Sequence, residues 1–207
     1  MEAVYKDFDL AIHNFSKEDP TLSQVCDKPD LKGWKAASPD GSGLLMKMEF
    51  TVDFDIEDVY KMVVVNENRH LWDSKFHNYD VVQTYGPGDA LIYYGIKTPF
   101  MVTNRDMLTR RHIIQQYGGY DYLILINSQE SELKPHQKGY VRGYINRSFI
   151  GIKKTDNGRV VLHNRFSMNF GGSIPVMVLK SMSSSIPKDM YKDLTNGHPL
   201  LKKKGLL

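Results

Sequence analysis

The chain has 207 residues, of which 41% are hydrophobic and 25% charged, and its formal net charge is +3. This length suits a single domain over residues 1–207 with a sizeable core, and the composition excludes a disordered or fibrous protein. The small net charge lacks the concentrated basic footprint of a nucleic-acid binder, so we expect no nucleic-acid partner.

The cysteine content and the N-terminal sequence indicate the cellular compartment of the protein. The single cysteine, Cys26, cannot form an internal disulfide, which is compatible with a reducing compartment. The N-terminus carries acidic side chains where a secretory signal needs a basic start, and no apolar run approaches the roughly 18 to 20 residues of a membrane span. We therefore expect a cytoplasmic protein.

The first third of the chain predicts a helix, a loop, a strand and more helix. Apolar residues at intervals of three and four predict an amphipathic helix over residues 2–15, formed by Val4, Phe8, Ala11, Ile12 and Phe15. Two prolines favour a loop or a ragged helix end over residues 17–32. Strict alternation predicts a half-buried strand over residues 44–52. Helical spacing over residues 55–76, with Asp55 as N-cap and a break near the middle, predicts two helices.

The rest of the chain predicts a long antiparallel sheet followed by a helix. Strand patterns separated by short turns cover residues 81–85, 90–97, 106–116, 120–128, 140–154 and 159–170. The Asn157-Gly158 pair between the last two is a strong hairpin signal, and short turns between long strands indicate an antiparallel meander. Helical spacing resumes past residue 172, where we expect Pro187 to kink or restart the helix. This order predicts an α+β domain whose last helix covers one sheet face.

The stretch over residues 98–111 departs from the usual pattern of a turn and a strand. Phe100, Met101 and Val102 directly follow a proline, where a turn between strands is normally polar. The strand that follows carries charged residues on both of its faces. We interpret the stretch as an apolar loop that leads into the wall of a cavity, and we expect Arg105 and Asp106 to pair and anchor that loop.

The sequence contains no recognisable catalytic or metal-binding pattern. The seven histidines are scattered, the serines over residues 181–185 lack a nucleophile elbow, and no glycine-rich loop has phosphate-binding spacing. We therefore predict no catalytic residue, no metal and no cofactor. Asp106 and His112, on one strand face, are the only suggestive acid/base neighbours.

Arg69 and Asp73 are four residues apart, so on a helix they share a face and can pair, with Trp72 beside them. This pattern is more often a structural ion pair near a core tryptophan. The functional interpretation is that Arg69 presents its guanidinium to an anionic head group while Asp73 fixes its orientation.

Four motifs occur in an order and approximate spacing that resembles the START lipid-transfer domain. They are Arg69-x-x-Trp72-Asp73, Pro99-Phe-Met-Val-Thr-Asn-Arg-Asp106, Gly139-Tyr-Val-Arg142 and Asn169-Phe-Gly-Gly-Ser-Ile-Pro175. The set looks closest to the phosphatidylcholine transfer protein branch, with Phe170 where that branch has a proline. Each motif is weak alone, and the ordered set is specific.

The resemblance implies a helix-grip fold, an α+β domain in which a long curved antiparallel β-sheet wraps around a C-terminal helix and encloses a hydrophobic tunnel. It also implies a non-enzymatic, cytoplasmic carrier that transfers one lipid between membranes. The expected lipid is a phospholipid, phosphatidylcholine or another glycerophospholipid, rather than a sterol. We expect a monomer that contacts the membrane surface transiently.

The resemblance further assigns roles to individual residues. The expected head-group contacts are Arg69, Asp73, Tyr94 and Arg111. The expected tunnel lining is Trp72, Met107, Asn146, Phe166 and Met168. The expected gate, which contacts the membrane, is Phe100, Met101, Val102, Ile174, Met177 and Val178.

Two other functions remain open. A small-molecule enzyme or accessory module on the same scaffold, such as a cyclase, would need an acid/base pair inside the cavity. A ligand-free adaptor would use the apolar loop to bind a protein and would have a filled or collapsed cavity.

Overall fold

The computed structural model describes residues 2–15, 17, 19–37 and 43–207, except for the side chains of residues 2–7 and 176. The helices are α1 (Glu2–His13), α2 (Ile56–Val64) and α3 (Val176–Lys203), with a 3-10 helix at Asn66–Leu71. The strands are β1 (Ser23–Lys28), β2 (Leu31–Ala37), β3 (Leu44–Val52), β4 (Phe76–Gly86), β5 (Asp89–Ile96), β6 (Arg105–Tyr117), β7 (Tyr120–Ser128), β8 (Val141–Lys154) and β9 (Val160–Asn169). In the described part of the chain, no helix is long and apolar enough to cross a bilayer.

The nine strands form one sheet in the order β1-β2-β3-β9-β8-β7-β6-β5-β4, and every neighbouring pair is antiparallel. The start of β6 also pairs in parallel with the start of β8, so the sheet curls upon itself at that end. The C-terminal helix packs against the core of this sheet. The α+β helix-grip architecture predicted from the sequence is confirmed.

The two sheet faces carry different apolar cores. The face that packs against α2 and α3, which we call the inner face, contributes Met46, Met48, Phe50, Ile124, Ile152 and Leu162. The opposite face, the outer face, packs against α1 through Tyr120, Leu123, Leu125 and Phe149. Because successive strand residues point to opposite faces, each long strand serves both cores.

The amphipathic helix predicted at the N-terminus is confirmed as α1. Phe8 and Ile12 are buried against the outer face, and Phe15 follows the helix into the same cluster. Val4, the first residue of the predicted stripe, lies outside the described side chains.

The prediction of a loop over residues 17–32 is wrong in its second half, where β1 and the start of β2 form the sheet edge. In β1 only Cys26 is buried, so the strand lacks the alternation that marks a half-buried strand. In β2 the inner face includes Gly33, which contributes no apolar side chain. Backbone hydrogen bonds hold β1 to β2 and β2 to β3, and such bonds cannot be predicted from the hydropathy of the side chains.

The helical prediction over residues 55–76 holds only in its first part. Asp55 caps α2 as expected, because its side chain accepts a hydrogen bond of 2.8 Å from the Glu57 amide. The second helix is a 3-10 helix that ends at Leu71, and β4 begins at Phe76, earlier than the predicted strand. The turn between them is stabilised by the Lys75 amide, which donates to the Asp73 carboxylate over 3.1 Å.

The last helix continues through Pro187, so the predicted restart does not occur. A proline in a helix removes one backbone hydrogen bond and needs room for its ring. Gly33 provides that room, since a Cβ at this position would lie 2.7 Å from the Pro187 ring. The missing side chain in β2 and the proline in α3 are therefore complementary.

Arg105 and Asp106 do not pair with each other, contrary to expectation, because adjacent strand residues point to opposite faces. Arg142 is the partner of Asp106, with contacts of 3.1 and 3.2 Å, and both side chains are buried. This ion pair lies on the outer face and joins β6 to β8.

We expect Asp106→Ala to lower the free energy of unfolding by about 3 kcal/mol, because it leaves the buried Arg142 charge with only the exposed carboxylate of Glu130, at 3.4 Å, as a partner. Urea denaturation measures this change. The matched control is Asp80→Ala, which removes the exposed carboxylate paired with Lys134 and should cost at most about 1 kcal/mol. Equal losses in the two variants would contradict a structural role for the buried pair.

Candidate functional site

A small cavity lies between the inner face and the second half of α3. Its volume is about 90 Å³, and its wall is mainly apolar, with Phe50, Ile150, Leu162, Ile186, Met190 and Leu194 among the lining residues. Trp72 and five charged residues, Arg69, Asp73, Lys75, Asp189 and Asp193, also line it, and Asn164 contributes a buried amide. An apolar cavity with a few polar groups is typical of a ligand site.

Arg69 and Asp73 form the expected ion pair at this cavity. The Arg69 Nε donates to Asp73 Oδ2 over 2.8 Å, and both side chains are only partly exposed. The pair forms because the chain turns once more after the 3-10 helix, with the Asp73 amide donating to the Arg69 carbonyl over 2.8 Å. Among the described residues, the terminal nitrogens of Arg69 have no hydrogen-bond partner, so they are available to a ligand.

An aromatic column extends from Arg69 into the sheet. The guanidinium lies 4.8 Å from the centroid of the Phe76 ring, and Phe76 stacks on Tyr94 with centroids 5.4 Å apart. Trp72 flanks the guanidinium at 5.7 Å. Burial raises the pKa of Tyr94 to about 12, so its phenol is protonated and neutral at physiological pH. Of the four predicted head-group residues, the structure thus brings Arg69 and Tyr94 against one aromatic ring, with Asp73 bound to Arg69.

Phe76 and Asn164 belong to this site and were not predicted. The sequence assigned Phe76 to a helix end, whereas it is the first residue of β4. Asn164 could have been found, because it is the one amide among the inward-facing residues Leu162, Phe166 and Met168 of β9.

Arg111, the fourth predicted head-group residue, lies apart from this cavity. It lines a second, open cavity of about 510 Å³ beside the β4–β5 turn. Its Nη1 donates to the Val64 carbonyl over 2.8 Å, while its buried Nε has no partner. Burial lowers the pKa of the Arg111 guanidinium, because the charged form loses hydration. Keeping this charge in place therefore costs folding free energy.

The predicted tunnel residues mostly lie on the inner face. Trp72 lines the cavity, and Met107, Phe166 and Met168 belong to or pack against the inner core. Asn146 does not, because it is exposed and pairs with Ser167 on the outer face.

A β-bulge explains the placement of Asn146. One extra residue in β8 sits between Asn146 and Phe149, so that two residues oppose one on β9. Simple alternation from Ile150 and Ile152 would place Asn146 on the inner face. The extra residue reverses the alternation and turns its side chain outward.

The predicted gate consists of two segments. In the loop before β6, Phe100 is 94% and Met101 90% exposed, and in the first turns of α3 Met177 is 83% exposed. Val102, Ile174 and Val178 are half-buried. Met101 has a φ of 72°, a conformation that non-glycine residues seldom adopt.

Arg105 joins the two gate segments. Its guanidinium is buried and donates to the carbonyls of Phe170 at 3.0 Å and Gly171 at 3.1 Å, on the segment that leads into α3. It also donates to the Thr103 carbonyl in the apolar loop. One side chain therefore holds the loop and the approach to the last helix together.

The predicted acid/base pair, Asp106 and His112, is not assembled at the cavity. Asp106 binds Arg142 on the outer face, and His112 lies 3.5 Å from Asp89 rather than near Asp106. In the part of the chain that the structure describes, no three metal-ligating side chains form a cluster.

Comparison with protein families decides the classification. A family model of the START domain matches residues 28–203, most of the chain. The chain belongs to the START-domain family.

Solved structures agree with the fold of this START domain. Human STARD10 superimposes with a TM-score of 0.79 at 22% identity, over 96% of this chain and 82% of that one. Human StAR-related lipid transfer protein 5 gives a TM-score of 0.79 at 17% identity, over 99% of this chain and 100% of that one.

A curated relative is the Arabidopsis thaliana protein ENHANCED DISEASE RESISTANCE 2-like, which is 28% identical over 127 residues. The match covers 58% of this START domain and 18% of that protein. The chain therefore spans only a small part of the curated relative it matches.

We expect Arg111→Met to leave the free energy of unfolding of this START domain unchanged or raised, because it replaces a desolvated, partly unpaired charge by an apolar chain of similar length. Arg105→Met is the matched control. This substitution leaves the three carbonyls that accept from Arg105 without their donor, and it should lower the free energy of unfolding by about 2 kcal/mol or more. Urea denaturation compares the two variants, and a similar loss in both would show that Arg111 is structural.

Proposed function

We propose that this START domain binds one phospholipid between the inner face and α3 and carries it between membranes without chemical change. The observation that carries the proposal is the guanidinium of Arg69, which Asp73 orients at the wall of an apolar cavity. Arginine with a planar set of donors is suited to bind phosphate oxygens. The apolar wall is suited to acyl chains, whose burial contributes about 0.8 kcal/mol per CH₂.

The unused donors of the Arg69 guanidinium favour a phospholipid over a sterol. Burying an ionic head group requires a partner of opposite charge, and Arg69 has unused donors for that purpose. A sterol hydroxyl would leave most of these donors unpaired. We propose phosphatidylcholine or another glycerophospholipid as the bound lipid.

Lipid entry requires α3 to move. The cavity holds about 90 Å³, whereas sites for small molecules typically have volumes of about 300–1,000 Å³. Asp193 of α3 accepts hydrogen bonds from the Ser74 amide and hydroxyl at 3.0 and 2.8 Å, next to the Arg69 site. Loss of these contacts would let the helix lift away from the head-group residues.

The exposed apolar residues of the gate supply a membrane contact. Phe100, Met101 and Met177 would enter the bilayer interface while Arg105 keeps their segments together. We propose a monomer that acts on membranes facing the cytoplasm.

A carrier agrees better with the geometry than the two alternatives. An enzyme built on Asp106 and His112 would need both side chains inside the cavity, and each has another partner on the outer face. Of the carboxylates that do line the cavity, Asp73 binds Arg69 and Asp193 binds Ser74. A ligand-free adaptor would not require a guanidinium that is oriented at the wall of a cavity.

Arg69→Ala should slow transfer of phosphatidylcholine between liposomes by about tenfold or more, since it removes a charge-assisted contact, and should affect sterol transfer less. Arg110→Ala is the matched control, because Arg110 also has a carboxylate partner but lies on the outer face. Native mass spectrometry of the purified protein identifies the bound lipid. Absence of any bound lipid together with absence of transfer would overturn the proposal.

Phe100→Ser should weaken binding to phosphatidylcholine vesicles by about tenfold, because a large apolar side chain no longer enters the interface. Vesicle flotation measures the change. Leu133→Ser is the control, since Leu133 is 63% exposed in the loop between β7 and β8 and lies outside the gate. Equal effects of the two substitutions would argue against a membrane-facing gate.

A further inference from the structure

The outer face carries a cavity that the lipid proposal does not use. It lies between the end of α1 and strands β3, β8 and β9, and its volume is about 230 Å³. Among the residues that the structure describes, four cations line it, Lys17, Lys47, Arg147 and Arg165, against one carboxylate, Asp19. We call it the basic groove. The formal charges of these lining residues sum to +3, which equals the net charge of the whole chain.

Two of these cations face each other across the sheet. Lys47 on β3 and Arg165 on β9 are direct partners in the antiparallel register, so their side chains leave the sheet on the same face. Like charges at such positions destabilise a sheet. In the described part of the chain, no carboxylate lies within 4.0 Å of Lys47, Arg147 or Arg165. The repulsion is therefore not offset by an ion pair.

The third cation is held in place by the β8 bulge. Arg147 has a φ of 45°, and its backbone carbonyl accepts a hydrogen bond of 2.9 Å from Arg165 Nη1. Lys47 Nζ lies 5.0 Å from the Phe15 ring and 4.9 Å from the Trp34 ring, and it donates to the Lys17 carbonyl over 3.3 Å. These contacts orient the charges of Arg165 and Lys47 beside the groove.

Desolvation adds to the cost of placing these charges together. Burial lowers the pKa of Lys47, and burial followed by the charge of Arg147 lowers the pKa of Arg165. Asp19, the one carboxylate among the described residues that line the groove, accepts hydrogen bonds of 2.9 and 2.6 Å from Thr21 through Oδ1, and its single charge compensates those of Lys47 and Arg165 only in part. Repulsion and desolvation are two costs of placing these cations together, and a bound anion would offset the repulsion.

We propose that the basic groove is a second binding site, separate from the lipid cavity, for a phosphate monoester such as a phosphorylated inositol. A phosphate monoester carries about −1.5 to −2 charges at neutral pH and three acceptor oxygens, which suits a cluster of this charge. The same group occurs on soluble inositol phosphates and on phosphoinositide head groups in membranes. Both sources present the same chemistry to the groove.

The test uses the full chain with two probes, inositol monophosphate and phosphatidylcholine vesicles with or without phosphatidylinositol monophosphate. Arg165→Gln removes one groove charge and relieves repulsion, so the variant should be at least as heat-stable as wild type. It should weaken binding of either probe by about tenfold or more. Transfer of phosphatidylcholine between neutral liposomes should not change.

The control is Lys138→Gln, which removes one charge from the exposed loop between β7 and β8. Binding of the soluble probe supports a site for the free phosphate ester, and binding of phosphoinositide vesicles alone supports a membrane head group. If wild type binds neither probe, or Arg165→Gln binds as tightly as wild type, the proposal is overturned. Equal weakening by Lys138→Gln would show general electrostatic attraction and would also overturn it.

Discussion

The buried guanidinium of Arg105 is the contact that holds the apolar loop before β6 to the approach to α3. No carboxylate neutralises it among the described residues, and its donors are directed at the carbonyls of Thr103, Phe170 and Gly171. A buried charge is tolerated only when its hydrogen bonds are satisfied, so these carbonyls must stay near one another. The apolar loop and the start of β6 are thereby fixed relative to the approach to α3, although 65 residues separate Arg105 from Phe170 in the sequence.

Much of the fold could be predicted from the sequence, because most strands alternate between two cores and the hairpin turns carry their usual glycines. The edge strands could not, since β1 buries only Cys26 and β2 has a glycine where its neighbours have apolar side chains. The continuous α3 could not either. Whether Pro187 interrupts a helix depends on the surface opposite its ring, and Gly33 lies more than 150 residues earlier.

The site was predictable where its residues are near in sequence. Arg69 and Asp73 are one helical turn apart, and local spacing was enough to foresee their ion pair. Phe76 was missed because its role depends on stacking with Tyr94 of the next strand, and Asp106 was given the wrong partner because Arg142 lies on a distant strand. Contacts between neighbouring strands follow from register, which a single sequence records only weakly.

The bulge in β8 has a consequence for how this domain can diverge. One extra residue separates the alternation of β8 before Arg147 from the alternation after Ser148. A deletion of one residue there would turn Asn146 inward, move Ile145 out of the core and remove the backbone kink that presents Arg147. The chemistry of the tunnel wall and the charge of the outer groove therefore cannot be altered independently by insertions or deletions in this strand. Point substitutions are the route by which either surface could evolve alone.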